Sequence, residues 1–269
     1  MEFSVLLSVY DKENPSFFNQ AFLSIWDAQI LKPEQIVLVK DGPLSPELDT
    51  VIASWQEKLG STLTVVPLSR NVGLGAALNE GLKYCRYELV ARMDTDDVAL
   101  PKRLATQIKF MQENPDIVAS SAILEEWNYD LTQLISMRKL PTKPEDIMTF
   151  SLRRSPLSHP LAVFRKDIIL SVGGYPPLRK AQDYALWSLL LTKGYKLANL
   201  PDVLLKMRAG NEMLARRGFG YFRYECELLR FQRDIGFLTP LNYYLNFIGK
   251  AILRLAPRSL QSLAYKFAR

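Results

Sequence analysis

Short apolar runs alternate with amphipathic stretches through the first half of the chain. The runs at 3–9, 35–40, 63–66 and 89–93 are typical of strands buried on both faces. Helical periodicity follows them from Pro15, at 48–59, at 75–84 and at 101–112, and a further strand is predicted at 117–124. Strand and helix alternate at least four times before residue 125. This order predicts an α/β fold, Rossmann-like, with a mostly parallel sheet and helices on both faces.

The pattern becomes mixed after residue 125. Pro-rich loops surround an apolar run at 161–164, a helix is predicted at 183–192, and two short strands are predicted at 196–199 and 203–207. Beyond Pro240, apolar residues recur on one face of a helix that Pro257 ends, and a second short helix begins near Ser259. The residues of that stripe are Leu241, Leu245, Ile248, Ile252 and Leu255. We therefore expect a first domain at 1–210 and a C-terminal amphipathic helical extension at 211–269.

Composition limits the class of protein and its compartment. With 48% hydrophobic and 23% charged residues in 269, the chain can bury a substantial core, which excludes global disorder. An uninterrupted apolar segment of about 18 residues, the minimum for a membrane-spanning helix, is absent from the sequence. Glu2 stands where a signal peptide carries a cation, and two cysteines fit neither a disulfide framework nor a zinc site. We expect a cytoplasmic protein.

The basic excess of the chain lies at its C-terminal end. The formal net charge is +6, and residues 206–269 alone carry twelve Lys or Arg against four Asp or Glu. Between Pro240 and Arg269 there are five cations and no acid. Two interpretations stay open: the apolar stripe packs on the core and leaves the cations in water, or residues 240–269 lie on an anionic membrane surface. A nucleic-acid partner is not expected, because no recognition motif accompanies the charge.

Three carboxylates follow the predicted strand at 89–93. Asp94, Asp96 and Asp97 repel one another, so a fold retains them together where a positive group neutralises them. Carboxylate oxygens suit Mg²⁺ or Mn²⁺, which commonly share their coordination with substrate phosphates. Asp41 follows another predicted strand. Because ligands of open α/β sheets bind at the carboxyl ends of the strands, we expect Asp41 and the three aspartates to line one crevice.

Five ordered segments resemble the family 2 glycosyltransferases, and in particular the bacterial enzymes that build exopolysaccharide, capsule or O-antigen units. They lie at 4–10, 36–43, 70–79, 93–97 and 182–187, and the resemblance covers about residues 3–210. It implies a GT-A fold, a nucleotide-sugar donor such as a UDP-sugar, Mn²⁺ or Mg²⁺, and inversion at the anomeric carbon. The Gln-x-x-Arg-Trp motif of processive polymerases is absent, which points to transfer of a single sugar. Acceptors in this family are often glycans linked to a lipid diphosphate, which implies a place on the inner face of the plasma membrane.

The resemblance also implies roles for individual residues. The donor site would consist of Ser8, Tyr10, Asp41, Arg70 or its neighbour Asn71, and Asp94. Asp96 would be the principal metal ligand, with Asp94 beside it. Asp183 matches the catalytic base, although Gln182 replaces the acidic residue that usually precedes it.

Three candidate site residues, Asp183, Arg208 and His159, have a competing structural interpretation. Asp183 opens a predicted helix and could serve only as its N-cap. Arg208 follows the last predicted strand and is our candidate for stabilising the departing diphosphate, with an ordinary surface arginine as the alternative. His159 is either a contact to the metal or diphosphate, or a hydrogen-bonded structural histidine.

Rival functions explain less of the sequence. The segment from Gly73 to Leu78 imitates the glycine pattern of an NAD-dependent oxidoreductase, but Leu78 replaces its third glycine and the aspartates would have no purpose. A sugar nucleotidyltransferase needs a glycine-rich basic loop near the N-terminus, and residues 8–15 do not form one. A membrane adaptor without enzymatic activity would explain the tail alone.

Overall fold

The strands of the protein form one mixed sheet. A computed structural model describes residues 2–209 and 219–255. Within these residues the sheet has the order β3-β2-β1-β4-β8-β6-β9-β5, and β7 extends it by pairing with β6. The strands are β1 (Ser4–Val9), β2 (Gln35–Lys40), β3 (Leu63–Pro67), β4 (Leu89–Arg92), β5 (Val98–Ala99), β6 (Ile117–Trp127), β7 (Leu134–Arg138), β8 (Val163–Arg165) and β9 (Lys196–Arg208).

The first four long strands, β3, β2, β1 and β4, are all parallel. Parallel neighbours need a crossover, and helices α1 (Pro15–Ile25), α2 (Pro46–Leu59) and α3 (Leu74–Leu82) supply it. Helices α1 and α2 pack against one face of the sheet and α3 against the other. Because both faces are covered, β1 and β2 consist of almost continuously buried residues, which explains why their sequences do not alternate.

The other half of the sheet contains antiparallel strands. β8 runs antiparallel to both β4 and β6, while β9 runs parallel to β6 and antiparallel to the short β5. Consequently β1, β2, β4 and β9 all end at the same edge of the sheet. The helices of this half are α4 (Arg103–Glu113), α5 (Pro144–Ser151), α6 (Lys166–Ser171) and α7 (Gln182–Thr192).

The strands and helices predicted for the first half are confirmed except for the start of α4, and one prediction for the second half needs correction. The two strands expected at 196–199 and 203–207 are one strand, β9, whose register against β6 shifts around Pro201 and Asp202. Helix α4 begins at Arg103 because residues 101–102 form a turn that the Arg103 backbone N–H closes onto the Leu100 carbonyl. The apolar run at 161–164 is divided between a 3-10 turn at His159–Leu161 and β8.

Two further helices form a hairpin that packs on α7. They are α8 (Phe219–Asp234) and α9 (Pro240–Leu255). Leu228 of α8 lies against Tyr184 and Ala185 of α7. The predicted domain boundary at 210/211 lies in the segment 210–218, outside the described residues, as does the predicted short helix beyond Ser259. No helix in the described part of the chain is long and apolar enough to cross a membrane.

The orientation of α9 contradicts the first interpretation of its stripe. Leu241, Leu245, Ile248 and Ile252 are exposed to solvent instead of packed on the core. Lys250 and Arg254, expected in water in that case, face inward and pair with Glu225 of α8. The expectation of a core-facing stripe with solvated cations is therefore wrong for the described part of this helix.

Candidate functional site

The three predicted acidic residues come together at the end of β4. Asp94, Asp96 and Asp97 each offer a carboxylate oxygen within 4.8 Å of the others. Asp97 is buried; its Oδ1 accepts a hydrogen bond from the backbone N–H of Arg208 at 3.0 Å. Within the described residues its Oδ2 is buried and has no hydrogen-bond partner, so this oxygen has lost its hydration without a protein donor in its place. Three converging carboxylate oxygens, in a cluster that also contains an unpartnered buried oxygen, fit a divalent cation such as Mg²⁺ or Mn²⁺.

Burial and mutual repulsion perturb the titration of this cluster. Burial, followed by the charges of Asp94 and Glu13, raises the pKa of Asp96 to about 7. Burial, with the charges of Asp96 and Asp94, also raises the pKa of Asp97 well above its ordinary value. Both carboxyl groups therefore hold protons more tightly than ordinary aspartates. A bound cation would favour their ionised forms.

Glu13 is a fourth carboxyl group at this edge, and the sequence analysis missed it. It follows β1, and its Oε2 accepts a hydrogen bond from the Thr95 hydroxyl at 2.7 Å. Burial raises the pKa of Glu13, and the nearby charge of Asp94 adds to the shift. The signal that could have identified it is the rule already applied to Asp41, namely an acidic residue shortly after a parallel strand.

Two buried arginines lie behind the aspartates, and they were also missed. Arg92 is 1% exposed and donates from Nη2 to Asp94 Oδ1, while its Nε and Nη1 have no hydrogen-bond partner in the part of the chain that the structure describes. Arg103 is fully buried and donates to the backbone carbonyls of Arg92 and Pro160. Burial and the charge of Arg92 lower the pKa of Arg103 to about 9. An arginine closing an apolar strand, as Arg92 closes β4, is the sequence signal for such a buried charge.

Arg208 lies against the acidic cluster. It ends β9, and its Nη1 donates to the Asp96 carbonyl while Nε donates to the Tyr129 carbonyl at 3.1 Å. The guanidinium carbon lies 3.9 Å from the centre of the Phe17 ring. These contacts fix the arginine beside the cluster, where its charge could meet an anionic ligand.

Asp41 holds the loop that contains Arg70 and Asn71. Its Oδ1 accepts from the Val72 backbone N–H at 2.7 Å and its Oδ2 from the Gly73 backbone N–H at 3.1 Å. Gly42 has φ of +93°, and a Cβ added there would lie 2.7 Å from the Asn71 backbone nitrogen. Both the positive φ and the close approach to the Asn71 backbone require glycine at position 42.

Ser8 and Tyr10 lie at the carboxyl end of β1, on the same edge as the cluster. Ser8 is half-buried and Tyr10 is exposed. Their predicted contacts to a nucleotide remain predictions, as do those of Arg70 and Asn71.

Asp183 lies in the first turn of α7, after Ala181 in a left-handed conformation with φ of +57°. Burial raises its pKa, while the Tyr184 backbone N–H and the charge of Arg92 act in the opposite direction. The charge of Arg138, from β7, also favours the ionised carboxylate. A half-buried carboxyl group with a raised pKa suits proton transfer.

His159 lies close to a tyrosine. Its Nε2 is 3.0 Å from the Tyr175 hydroxyl oxygen, and its ring packs edge-on against the Tyr175 and Trp187 rings. Burial and the charge of Arg92 lower the pKa of His159 well below its ordinary value, so the ring is neutral. The acidic cluster found in the described residues does not include it. Its role as a metal or diphosphate contact remains a prediction.

Comparison with known proteins decides the family. Residues 4–172 match the model described as glycosyl transferase family 2. The chain belongs to this family. The family 2 assignment made from the five segments is therefore confirmed, and the oxidoreductase and nucleotidyltransferase alternatives are not.

Relatives of this glycosyltransferase align over nearly its whole length. It is 40% identical over 268 residues to the amylovoran biosynthesis glycosyltransferase AmsE of Erwinia amylovora, covering 98% of both chains. It is 33% identical to a UDP-Gal:α-D-GlcNAc-diphosphoundecaprenol β-1,3-galactosyltransferase of Escherichia coli, covering 98% of this chain and 95% of the relative.

Solved structures confirm the GT-A fold. TarS 1-349 of S. aureus in complex with UDP-GlcNAc superposes with a TM-score of 0.66 at 18% identity, covering all of this chain and 79% of TarS 1-349. The mannosyltransferase PcManGT from Pyrobaculum calidifontis, in complex with GDP-Man and Mn²⁺, superposes with a TM-score of 0.63 at 19% identity. That match covers 99% of this chain and 74% of the mannosyltransferase.

Proposed function

We propose that this glycosyltransferase moves one sugar from a UDP-sugar to a growing surface polysaccharide, with inversion at the anomeric carbon. The observation that supports this proposal most strongly is the convergence of Asp94, Asp96 and Asp97 at the carboxyl edge of the sheet. Among the described residues, the buried Oδ2 of Asp97 has no hydrogen-bond partner. The chemistry of that donor set supports a site for Mn²⁺ or Mg²⁺ that also receives a diphosphate.

The donor occupies the crevice between the ends of β1, β2 and β4. In our proposal Ser8 and Tyr10 line the nucleotide pocket, and Asp41 keeps the loop of Arg70 and Asn71 in position to contact the donor. The two hydrogen bonds from the 72–73 backbone to Asp41 support this positioning role. TarS 1-349, a protein with the same fold, was solved in complex with UDP-GlcNAc, which supports a nucleotide-sugar donor.

Asp183 is the catalytic base in this proposal. Its carboxylate accepts the proton of the acceptor hydroxyl while the hydroxyl oxygen forms a bond to the anomeric carbon. The bond from that carbon to the diphosphate breaks on the opposite face, and its electron pair leaves with UDP. The raised pKa of Asp183 supports the role, because a stronger base takes the proton more readily as the bond forms.

Positive charge stabilises the departing diphosphate. A divalent cation at the aspartate cluster would neutralise charge on the phosphate oxygens and so make UDP a better leaving group. Arg208, held beside the cluster by its contacts to the Asp96 and Tyr129 carbonyls, would add a further charge to the same group. His159, neutral and bonded to Tyr175, would contribute at most through its ring nitrogen.

The acceptor is a glycan attached to a lipid diphosphate. Support comes from the Escherichia coli relative, whose name specifies GlcNAc-diphosphoundecaprenol as its acceptor, and from AmsE, named for amylovoran biosynthesis. Such an acceptor is anchored in a bilayer, so we place the reaction at the cytoplasmic face of the plasma membrane. Residues 1–210 would perform the transfer, and residues 240–269 would contact the anionic membrane surface.

A donor panel tests the proposed function. The purified protein is incubated with UDP-, GDP- and dTDP-sugars and a GlcNAc-diphospho-lipid, in Mn²⁺ or in EDTA, and the released nucleotide is measured. We expect release of UDP from a UDP-sugar, only with metal, and a β-linked product from an α-linked donor. Release of GDP or dTDP alone would overturn the donor assignment, and retention of the anomeric configuration would overturn the mechanism.

A further inference from the structure

The outer face of α9 is a continuous apolar surface. Leu241, Tyr244, Leu245, Ile248 and Ile252 are 54 to 68% exposed, and their spacing places them along one side of the helix. Gly249 lies on the same side and is exposed as well. We call these five apolar side chains the α9 stripe. Folded domains rarely leave so many large apolar side chains together in water.

The inner face of α9 carries the cations of the described helix. Lys250 Nζ lies 3.2 Å from Glu225 Oε1, and Arg254 Nε lies 2.9 Å from Glu225 Oε2. All three side chains are less than 20% exposed. Tyr243 and Phe247 pack on the same side, against the cluster formed by Leu229, Phe237 and Leu238.

The placement of charged side chains on the inner face of α9 and of large apolar ones on its outer face differs from that of a helix that borders water. An amphipathic surface helix of a globular protein turns its apolar side inward and its charged side outward. Here ionic groups are removed from water at the cost of their hydration, while five large apolar groups stay outside. The arrangement is favourable where the outer face meets an apolar medium, because the paired charges are then shielded and the stripe is removed from water.

We infer that the α9 stripe inserts into the interfacial region of a lipid bilayer. A second copy of the chain could also cover the stripe, but it would bring two copies of the 240–269 segment together. Lys250 and Arg254 are paired with Glu225, but positions 256–269 add Arg258, Lys266 and Arg269 and no acid, so copies of this part of the chain repel one another, whereas anionic headgroups attract it. Tyr244, an aromatic side chain with a polar end, suits the boundary between acyl chains and headgroups.

This contact differs from the purely electrostatic one that the basic composition suggests. Lys250 and Arg254 are bound to Glu225, so the described helix contributes apolar area to the bilayer instead of charge. Binding through the stripe therefore extends to uncharged lipids and resists salt, since screening weakens charge contacts and leaves apolar burial intact. The inference does not depend on the transferase chemistry, which involves other residues.

Vesicle flotation of the full chain tests this inference. The vesicles are pure phosphatidylcholine, or phosphatidylcholine with phosphatidylglycerol, in low and high NaCl. We expect the unaltered protein to bind neutral vesicles with less than about a twofold loss in high salt. Leu245→Glu/Ile248→Glu lowers partitioning onto both kinds of vesicle by about tenfold or more, because two charges would enter the apolar layer. Leu23→Glu/Ile30→Glu is the matched control, since both residues are exposed apolar side chains outside α9, and it leaves partitioning unchanged.

A second variant keeps the test informative if the double glutamate variant unfolds. Ile248→Trp preserves an apolar side chain, and its fluorescence shifts to shorter wavelength on addition of neutral vesicles when the stripe inserts. Failure of the unaltered protein to bind neutral vesicles would overturn the inference, as would wild-type binding by Leu245→Glu/Ile248→Glu. So would a stripe-dependent dimer in sedimentation without vesicle binding. Transfer to a water-soluble acceptor is assayed separately, so failure of the proposed function is distinguishable.

Discussion

Asp183 lies in the first turn of α7 and is also our proposed catalytic base. A substitution can separate these two roles. Asp183 has a raised pKa, caused mainly by burial. The carboxyl group also lies near the charges of Arg92 and Arg138, which favour its ionised form. An isosteric amide keeps the shape of the side chain and removes its capacity to accept a proton.

Asp183→Asn tests the base. We expect kcat to fall by about a hundredfold or more, since general base catalysis contributes on that scale. The Kd for UDP in Mn²⁺ should change by less than about twofold, because the variant leaves the aspartate cluster intact. Turnover and isothermal titration measure the two quantities. The N-cap of α7 is Ala181, with no side-chain cap hydrogen bond, so Asp183 is not the N-cap. Wild-type turnover in the variant would contradict the assignment of Asp183 as the base.

The raised pKa of Asp96 predicts how the stability of the metal-free protein depends on pH. In the folded state this carboxyl group titrates at about 7, whereas an ordinary aspartate titrates at about 3.9 in the unfolded chain. Between these values the folded state holds the extra proton, so the contribution of Asp96 to the free energy of unfolding decreases as pH rises and is lost above 7. Thermal melting in EDTA should show this decrease.

Asp96→Asn is the control for the pH effect. It should flatten the decrease in melting temperature between about pH 5 and about pH 7.5, because the amide does not titrate. Saturating Mn²⁺ should offset the decrease in the unaltered protein by favouring the ionised cluster. An unchanged pH dependence in the variant would show that another group causes it.

At the scale of elements, the turn after β2 constrains the conformation of the loop that contains Arg70 and Asn71. Gly42 has positive φ, and its backbone approaches the Asn71 backbone closely. The same turn places Asp41 under the Val72 and Gly73 N–H groups. A side chain at position 42 would push against the loop backbone, which cannot rotate away as a side chain could.

Gly42→Ala should weaken UDP binding as well as stability. We expect a loss of about 1–3 kcal/mol in the free energy of unfolding from the strained φ and the steric conflict. Gly236→Ala is the matched control, since Gly236 also has positive φ, +75°, and a Cβ there would meet no atom within 4 Å. The additional loss of unfolding free energy in Gly42→Ala, and any loss of UDP affinity, then measures the steric conflict with the backbone of the Asn71 loop. Equal losses in both variants would contradict it.

The α8–α9 hairpin depends on one partly buried acid. Glu225 accepts hydrogen bonds from both Lys250 and Arg254, whose charges and hydrogen bonds lower its pKa despite burial. Glu225→Gln would remove the carboxylate that Lys250 and Arg254 share, and we expect a loss of about 3 kcal/mol in the free energy of unfolding. Hydrogen exchange should then rise in α9 more than in β1. Unchanged exchange in α9 would show that packing alone holds the hairpin.

The first half of the fold was predictable from local pattern, and the second half was not. Strands β1, β2 and β4 are apolar runs buried on both faces. When predicted helices separate such runs, the pattern indicates the strands of a parallel sheet. β5, β7 and β8 are short and pair antiparallel with distant strands, so their pairing depends on tertiary contacts that no local window contains. The outward stripe of α9 was unpredictable for the same reason, since a helical wheel does not tell which side meets the protein.

The candidate site divides in a similar way. Asp41, Asp94, Asp96 and Asp97 could be predicted because the ends of parallel strands meet at one edge. Glu13 and the buried Arg92 and Arg103 required the three-dimensional packing, since each is isolated in its own segment. Arg208 was a candidate because it follows the last predicted strand. Its contact with the cluster results from β9 running parallel to β6.

At the scale of the whole molecule, an acidic cluster at the sheet edge, the proposed base and an outward apolar helix occur in one family 2 glycosyltransferase. The sheet brings Asp94, Asp96 and Asp97 together at the end of β4, and Asp183 lies in the first turn of α7. Helix α8 packs on α7 and pairs with α9 through Glu225, so the α9 stripe is connected through α8 to the helix that carries Asp183. In our account this connection holds the crevice close to a lipid-anchored acceptor.

Isothermal titration of UDP tests the central claim most directly. The unaltered protein and Asp96→Ala are each titrated with UDP in Mn²⁺ and in EDTA. Our account predicts binding by the unaltered protein in Mn²⁺ and a loss of about tenfold or more in affinity when either the metal or the Asp96 carboxylate is removed. Equal UDP affinity in all four titrations would contradict the claim that the aspartate cluster joins a divalent cation to the diphosphate.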